Sequence, residues 1–347
     1  MTTIPLPLRF RGAPGSPYTR KMRAYLRYRR IPYELIIYNS REDHDLPVPR
    51  VPLLPTFFLP DDDGQLVGVT DSTPLIRRFD AELEGRAVIP PQPAIAFIDA
   101  LLEDYADEWL TKPMFHYRWA YEADVAKAGS ILPLWGRTAV DDETLAKIAD
   151  LISKRQIERL WVVGSNATTG PVIEASYRRF LRAFDDHLKE HAFLMGARPG
   201  SADFGVFGQL TQLALFDPTP MAVTLEQSVR TYPWVERVED LSGASASDDD
   251  WFTPQTVPDT LRALLHEAGR VYAPFMLANA AARERGAEKV ETTIDSQPYV
   301  QKTFPYQAKC LRWLREAYAA LGGDDRAAVD SLLAGTGLEP MFAEASG

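Results

Sequence analysis

Residues 15–36 read GSPYTRKMRAYLRYRRIPYELI, and the way this stretch divides decides the fold. Serine followed by proline is a preferred pair at a helix start. The serine oxygen can accept a first-turn N–H, and proline fits where no N–H is needed. From Pro17 to Arg30, Tyr18, Met22, Tyr25 and Leu26 recur at helical spacing, with Arg and Lys between them. Tyr33–Tyr38 (YELIIY) then switches to strand formers. Upstream, Leu6–Phe10 (LPLRF) reads as a short strand. The unit is strand–helix–strand, with parallel strands joined by a right-handed crossover.

Further along, SREDHDLPVPR (40–50) is too polar and proline-rich for a long helix. Thr56–Leu59 (TFFL) and Leu66–Val69 (LVGV) flank PDDDGQ, which is turn chemistry, and so predict a hairpin. Beyond TDST, Leu75, Ile76, Phe79 and Leu83 form one apolar helix face. The order β-α-β-loop-β-β-α is a small α/β layer. AVIPPQPA (87–94) reads as a linker from its prolines. From about Ala94 to Leu241 the pattern is helical, and SGASASDDD (242–250) is a second, polar break. The remainder is helical at both ends, with strand alternation only in KVETTIDSQPYVQK (289–302). Three parts are predicted: an α/β layer over 1–88, an all-helical domain over 94–241, and a mostly helical extension over 250–347.

Composition narrows the function. The chain has 347 residues and a formal net charge of −10, which argues against nucleic-acid binding because phosphate backbones demand a positive face. One cysteine, Cys310, leaves no intramolecular disulfide and no Cys-based zinc cluster. The start, MTTIPLPLRFRG, lacks the basic and apolar regions of a signal peptide, and no run of 18 apolar residues occurs. A cytoplasmic protein without a membrane span is expected.

Ser16-Pro17-Tyr18-Thr19 stands where a glutaredoxin turn would place Cys-Pro-Tyr-Cys. On local sequence alone, Ser16 is a helix cap. With Leu54-Pro55 entering the hairpin, the layer takes on a thioredoxin-like order. SPYTRKMRAYLRYRRIPYELI then resembles the first helix and second strand of glutathione transferases, most closely the serine-type members of the tau-like and bacterial kinds. LPTFFLPDDDGQLVGVTDSTPLIRRFD resembles their hairpin and following helix, with Asp71-Ser72 as the acid–serine pair. FLMGARPGSADFGVFGQL and RTYPWVERVEDL resemble helices of their all-helical second domain. The resemblance covers roughly residues 4–240.

That resemblance implies a cis Pro55 facing the turn and glutathione as co-substrate. Ser16 would stabilise its thiolate for attack on a small hydrophobic electrophile. Asp71 and Ser72 would hold the γ-glutamyl end, Leu54 would pair its backbone with the cysteinyl amide, and a homodimer would be expected. The alternative is a binding or interaction module that kept the scaffold and lost the chemistry. Asp71 and Ser72 could also simply cap their helix.

Other residues carry competing readings. Tyr18 and Thr19 are rival hydroxyls to Ser16. The basic residues from Arg20 to Arg30 read as a solvated helix face. Tyr117, Trp119 and Tyr121 could line a second-substrate pocket or pack in the core. Gly200 stands where the family has a Ser or Thr cap, with Asp203 at the acid position. Leu53 stands where many serine-type members carry Lys, and the nearest base is Arg50. Cys310 reads as a buried helix residue. His44, His116, His187, His191 and His266 show no metal spacing, and His187 and His191 read as helix surface.

Overall fold

The computed structural model describes residues 4–343. Leu8–Gly12 (β1) pairs in parallel with Tyr33–Ile37 (β2), joined through the helix Pro17–Arg29 (α1). β1 begins two residues later than its pattern places it, after the cis bond Leu6–Pro7. Thr56–Pro60 (β3) runs antiparallel to β1 and to Leu66–Val69 (β4), giving the order β2-β1-β3-β4. Ser72–Glu82 (α2) follows β4 and buries Leu75, Ile76 and Phe79, the predicted apolar stripe. Phe10 and Phe57 stack across neighbouring strands with ring centroids 4.6 Å apart. This is a thioredoxin-like α/β layer, and the region after it is largely helical.

Pro93–Tyr105 (α3) runs through a π-helical segment, Ala106–Leu110, into Thr111–Ala120 (α4). Glu122–Ile131 (α5), a 3₁₀ turn at Leu132–Trp135, Asp142–Ile157 (α6) and Gly170–Leu188 (α7) follow. Ser201–Leu210 (α8) passes through a second π segment, Thr211–Phe216, to Pro218–Gln227 (α9) and Thr231–Val238 (α10). No helix among the described residues is long and apolar enough to cross a membrane.

The start of α8 explains the glycine at its cap. Asp203 accepts from the Gly200 N–H at 2.9 Å and from the Leu194 N–H at 2.9 Å. Asp99 of α3 takes the Ser201 and Ala202 amides at 3.1 and 3.0 Å, so a carboxylate from another helix does the capping. A Cβ on Gly200 would lie 2.3 Å from Asp99 Oδ1. Gly200→Ser, although serine is ordinarily a good cap, is therefore expected to destabilise by about 1–3 kcal/mol in urea unfolding, as overpacking does.

The last hundred residues share the same core. Asp259–Glu284 (α11) lies along α7, and the hairpin Lys289–Ile294 (β5) with Gln297–Lys302 (β6) packs on α11. The hairpin turns through Asp295 and Ser296, both at positive φ as a two-residue turn of this hand requires. Pro305–Ala319 (α12) and Gly323–Leu333 (α13) cover α3. α11 meets the turn after α13 so closely that a Cβ on Gly269 would lie 1.9 Å from Thr336 O. Tyr272, Phe275 and Leu333 join Phe10 and Trp109 in one continuous apolar cluster.

Two expectations are corrected. The basic face of α1 is not solvated: Lys21 is fully buried and Arg29 nearly so, while Arg20, Arg23 and Arg27 converge on Glu239. Carboxylates from α2 (Asp80), α3 (Glu103), the first π segment (Asp107) and the residue capping α10 (Glu239) compensate this charge, and none of them is near in sequence. His187 is buried too, with its ring nitrogens 3.0 Å from Thr260 Oγ1 and Phe193 O. Burial pushes its pKa down to about 4, so it is neutral.

Candidate active site

β1 leads into α1 at its C-terminal end, β3 begins after Leu54-Pro55, and β4 leads into α2 at its C-terminal end. Because β3 is antiparallel to both β1 and β4, all three junctions fall at one end of the sheet. Ser16, Leu54-Pro55 and Asp71-Ser72 are therefore brought to one edge, and the Leu54–Pro55 bond is cis.

Ser16 caps α1. Its Oγ accepts from the Thr19 N–H at 3.2 Å, and its only other hydrogen bond among the described residues is to the Leu54 carbonyl at 3.5 Å. At that length the hydroxyl proton is barely engaged. The rival hydroxyls are committed elsewhere. Tyr18 donates to the Asp107 carbonyl at 2.8 Å, and Thr19 Oγ1 accepts from the Ala13 N–H at 3.2 Å. Burial, then the charges of Glu108 and Asp107, raises the Tyr18 phenol well above its usual range. The Leu54 N–H has no hydrogen-bond partner among the described residues. One backbone donor and one loosely held acceptor thus stand open beside the turn.

Asp71 sits at φ 87, a conformation unusual for a side chain larger than glycine. Its carboxylate does not cap α2. It accepts instead from the Tyr306 phenol of α12, 2.8 Å from Oδ2. The Ser72 and Thr73 amides open the helix with no partner among the described residues. The Thr73 hydroxyl is spoken for, at 3.1 Å from Glu103 Oε1 and 3.2 Å from Asp107 Oδ2. Leu53 is exposed and brings an uncharged side chain to that position.

The helical region holds the turn in place through residues that no local signal marks. A Cβ on Gly15 would lie 2.1 Å from the Trp135 ring and 2.6 Å from Leu132. Arg118 donates to Gly15 O at 3.2 Å while gripping Asp217 with two nitrogens. A cavity of about 150 Å³ flanks this contact, lined by Arg20, Trp135, Gln212, Leu215, Phe216 and Glu239. Tyr117 and Trp119 are core residues, and Tyr121 donates to Glu174 at 2.6 Å.

Residues 10–87 match the family model of the glutathione S-transferase N-terminal domain. The chain carries a glutathione S-transferase N-terminal domain. No curated protein matches it in sequence. Among solved structures it is similar to a glutathione S-transferase from Rhodospirillum rubrum F11. That likeness is at 16% identity and a TM-score of 0.40, over 74% of this chain and 91% of that one. It is also similar to the tau-class enzyme of mango, at 15% identity and a TM-score of 0.38, over 74% of this chain and 98% of that one. A Burkholderia graminis transferase crystallised with two glutathione molecules per subunit is 17% identical with a TM-score of 0.39, over 74% and 87% of the two chains.

Beneath this transferase-type domain lies a buried charge cluster. Lys21 Nζ is 2.7 Å from Glu103 Oε1 and 2.5 Å from Asp107 Oδ2, and Arg77 meets Glu103 at 2.7 Å. Burial alone would discharge these groups; the opposite charges outweigh it at Lys21 and Glu103 but not at Asp107, which burial pushes up to about 6. The Lys21 pKa is raised, and Glu103 is held well below the usual carboxylate range by Arg77 and Lys21. The cluster joins α1, α2 and α3 and so fixes the α/β layer of the transferase-type domain against the helices. Cys310 is buried near Asp104, Glu108 and Asp71, and burial plus those charges push its thiol far up, away from the thiolate.

Proposed function

We propose that the protein binds glutathione at this edge and uses Ser16 to hold its sulfur as thiolate for attack on a small hydrophobic electrophile. The observation that carries the reading is the Ser16 hydroxyl. One lone pair accepts the Thr19 N–H, and among the described residues the proton is left with only a long contact to Leu54 O. A thiol of pKa near 8.5 is about 3% ionised at pH 7. Lowering it by about two units makes it roughly three-quarters ionised and requires about 2.7 kcal/mol. A hydrogen bond from a hydroxyl to a charged group supplies about 1.5–3 kcal/mol, and a helix N-terminus about 0.3–1 more. Ser16 at the head of α1 meets that need. The thiol proton passes to water, and the serine keeps its own throughout. The thiolate forms the new carbon–sulfur bond, and the electrophile's leaving group departs with its electron pair.

The remaining groups fit the rest of the tripeptide. The open Leu54 N–H and its carbonyl can pair with the cysteinyl amide as an added strand. The Ser72 and Thr73 amides at the start of α2 suit the γ-glutamyl carboxylate, and Asp71 suits its ammonium. Glutathione at about 100 times its Kd is expected to stabilise the protein by about 2.7 kcal/mol, a Tm rise of about 4 °C in a chain of this size. No shift at 10 mM glutathione would instead favour a scaffold that has lost the ligand.

A further inference from the structure

Tyr306 lies 235 residues from Asp71 in sequence, outside the matched N-terminal domain, yet its phenol sits 2.8 Å from Asp71 Oδ2. The contact is built in. Asn279 accepts from the Phe304 N–H at 2.8 Å and donates to the Phe304 carbonyl at 3.0 Å, fixing the residue that opens α12. Gln301, just before it, is held by Lys112 at 2.8 Å. On α12 the Tyr306 ring meets Trp313 edge-on at 6.5 Å, and Lys309 lies 4.0 Å above Trp313 and 5.5 Å from the Tyr306 ring. Asp71 Oδ1 makes no hydrogen bond among the described residues.

Resting on the glutathione reading above, we propose that Tyr306 is a positioning residue for the ligand's α-amino-acid end. Its phenol anchors Asp71 through Oδ2 and leaves Oδ1 for the ligand ammonium, while Lys309 adds a cation for the adjoining carboxylate. A carboxylate has about four lone-pair sites, so one phenol does not exhaust Asp71. The groups facing it agree. Burial pushes the Asp71 pKa up. The Tyr306 hydrogen bond and the charges of Lys309 and Lys21 oppose that rise, and Glu103 adds to it. The last hundred residues thereby contribute to a site that the N-terminal domain alone leaves incomplete.

Tyr306→Phe keeps the ring packing and removes only the donor. In ¹³C carboxyl NMR without ligand, the Asp71 pKa is expected to rise by about one unit, the size of one hydrogen bond to a charged group. An unmoved value overturns the anchoring role whatever the protein binds. By calorimetry, glutathione binding should weaken about tenfold in Tyr306→Phe. The loss should vanish with a glutathione analogue lacking the γ-glutamyl ammonium, and in turnover KM should rise more than kcat falls. Lys309→Ala should weaken glutathione several-fold and reduce the salt dependence of binding. Tighter glutathione binding in Tyr306→Phe would make the phenol a plug and overturn the proposal. A wild-type protein that binds no glutathione overturns the reading on which the ligand's part rests, while the NMR result still decides the anchor.

Discussion

Ser16→Ala is expected to lower kcat/KM for glutathione with a chlorodinitrobenzene-type electrophile by about tenfold to a hundredfold, the loss of one hydrogen bond to a thiolate. The same substitution removes the α1 cap, at a cost of about 1 kcal/mol in stability, so activity and folding must be measured together. Ser16→Asp separates the two roles. Aspartate caps a helix as well as serine does, but an ionised carboxylate donates no proton and places a negative charge beside the sulfur. Stability near wild type with activity below that of Ser16→Ala is the expected pattern. If both variants turn over as fast as wild type, Ser16 is a cap and nothing more.

The second large effect is structural. Lys21→Ala should destabilise the protein by about 3–5 kcal/mol, because Glu103 and Asp107 would stay buried without their shared ammonium. Removing charge on both sides, as in Lys21→Met with Asp107→Asn, should recover part of the loss, since a buried pair broken on one side costs more than a pair removed. Glutathione binding by folded protein should fall as well, because Thr73, whose amide opens α2 at the site, hydrogen-bonds the same carboxylates. A Lys21→Ala protein within 1 kcal/mol of wild type in urea unfolding would mean that water reaches the cluster.

The α/β layer was legible because its signals are local. Ser16-Pro17 opens α1, PDDDGQ separates β3 from β4, and Leu75, Ile76 and Phe79 give α2 its buried face. Even the late hairpin showed in its strand alternation. What escaped the sequence is what depends on distant partners. Lys21 reads as one more base on a basic helix until Glu103 and Asp107 arrive from another part of the chain. Gly200 reads as a weakened cap until Asp99 takes over the amides. Tyr306, Arg118 and Trp135 reach the site's residues only through tertiary packing, and no spacing around them signals it. The resemblance pointed to Asp71 as ligand-binding, but nothing near it in sequence shows the phenol already on its carboxylate.

The most direct test of the account is the pKa of the glutathione thiol in the complex, followed by thiolate absorbance across pH. The wild-type complex should titrate about two units below the free value near 8.5, and the Ser16→Ala complex should return toward that value. A bound thiol that titrates like free glutathione, or one lowered equally in Ser16→Ala, would contradict it.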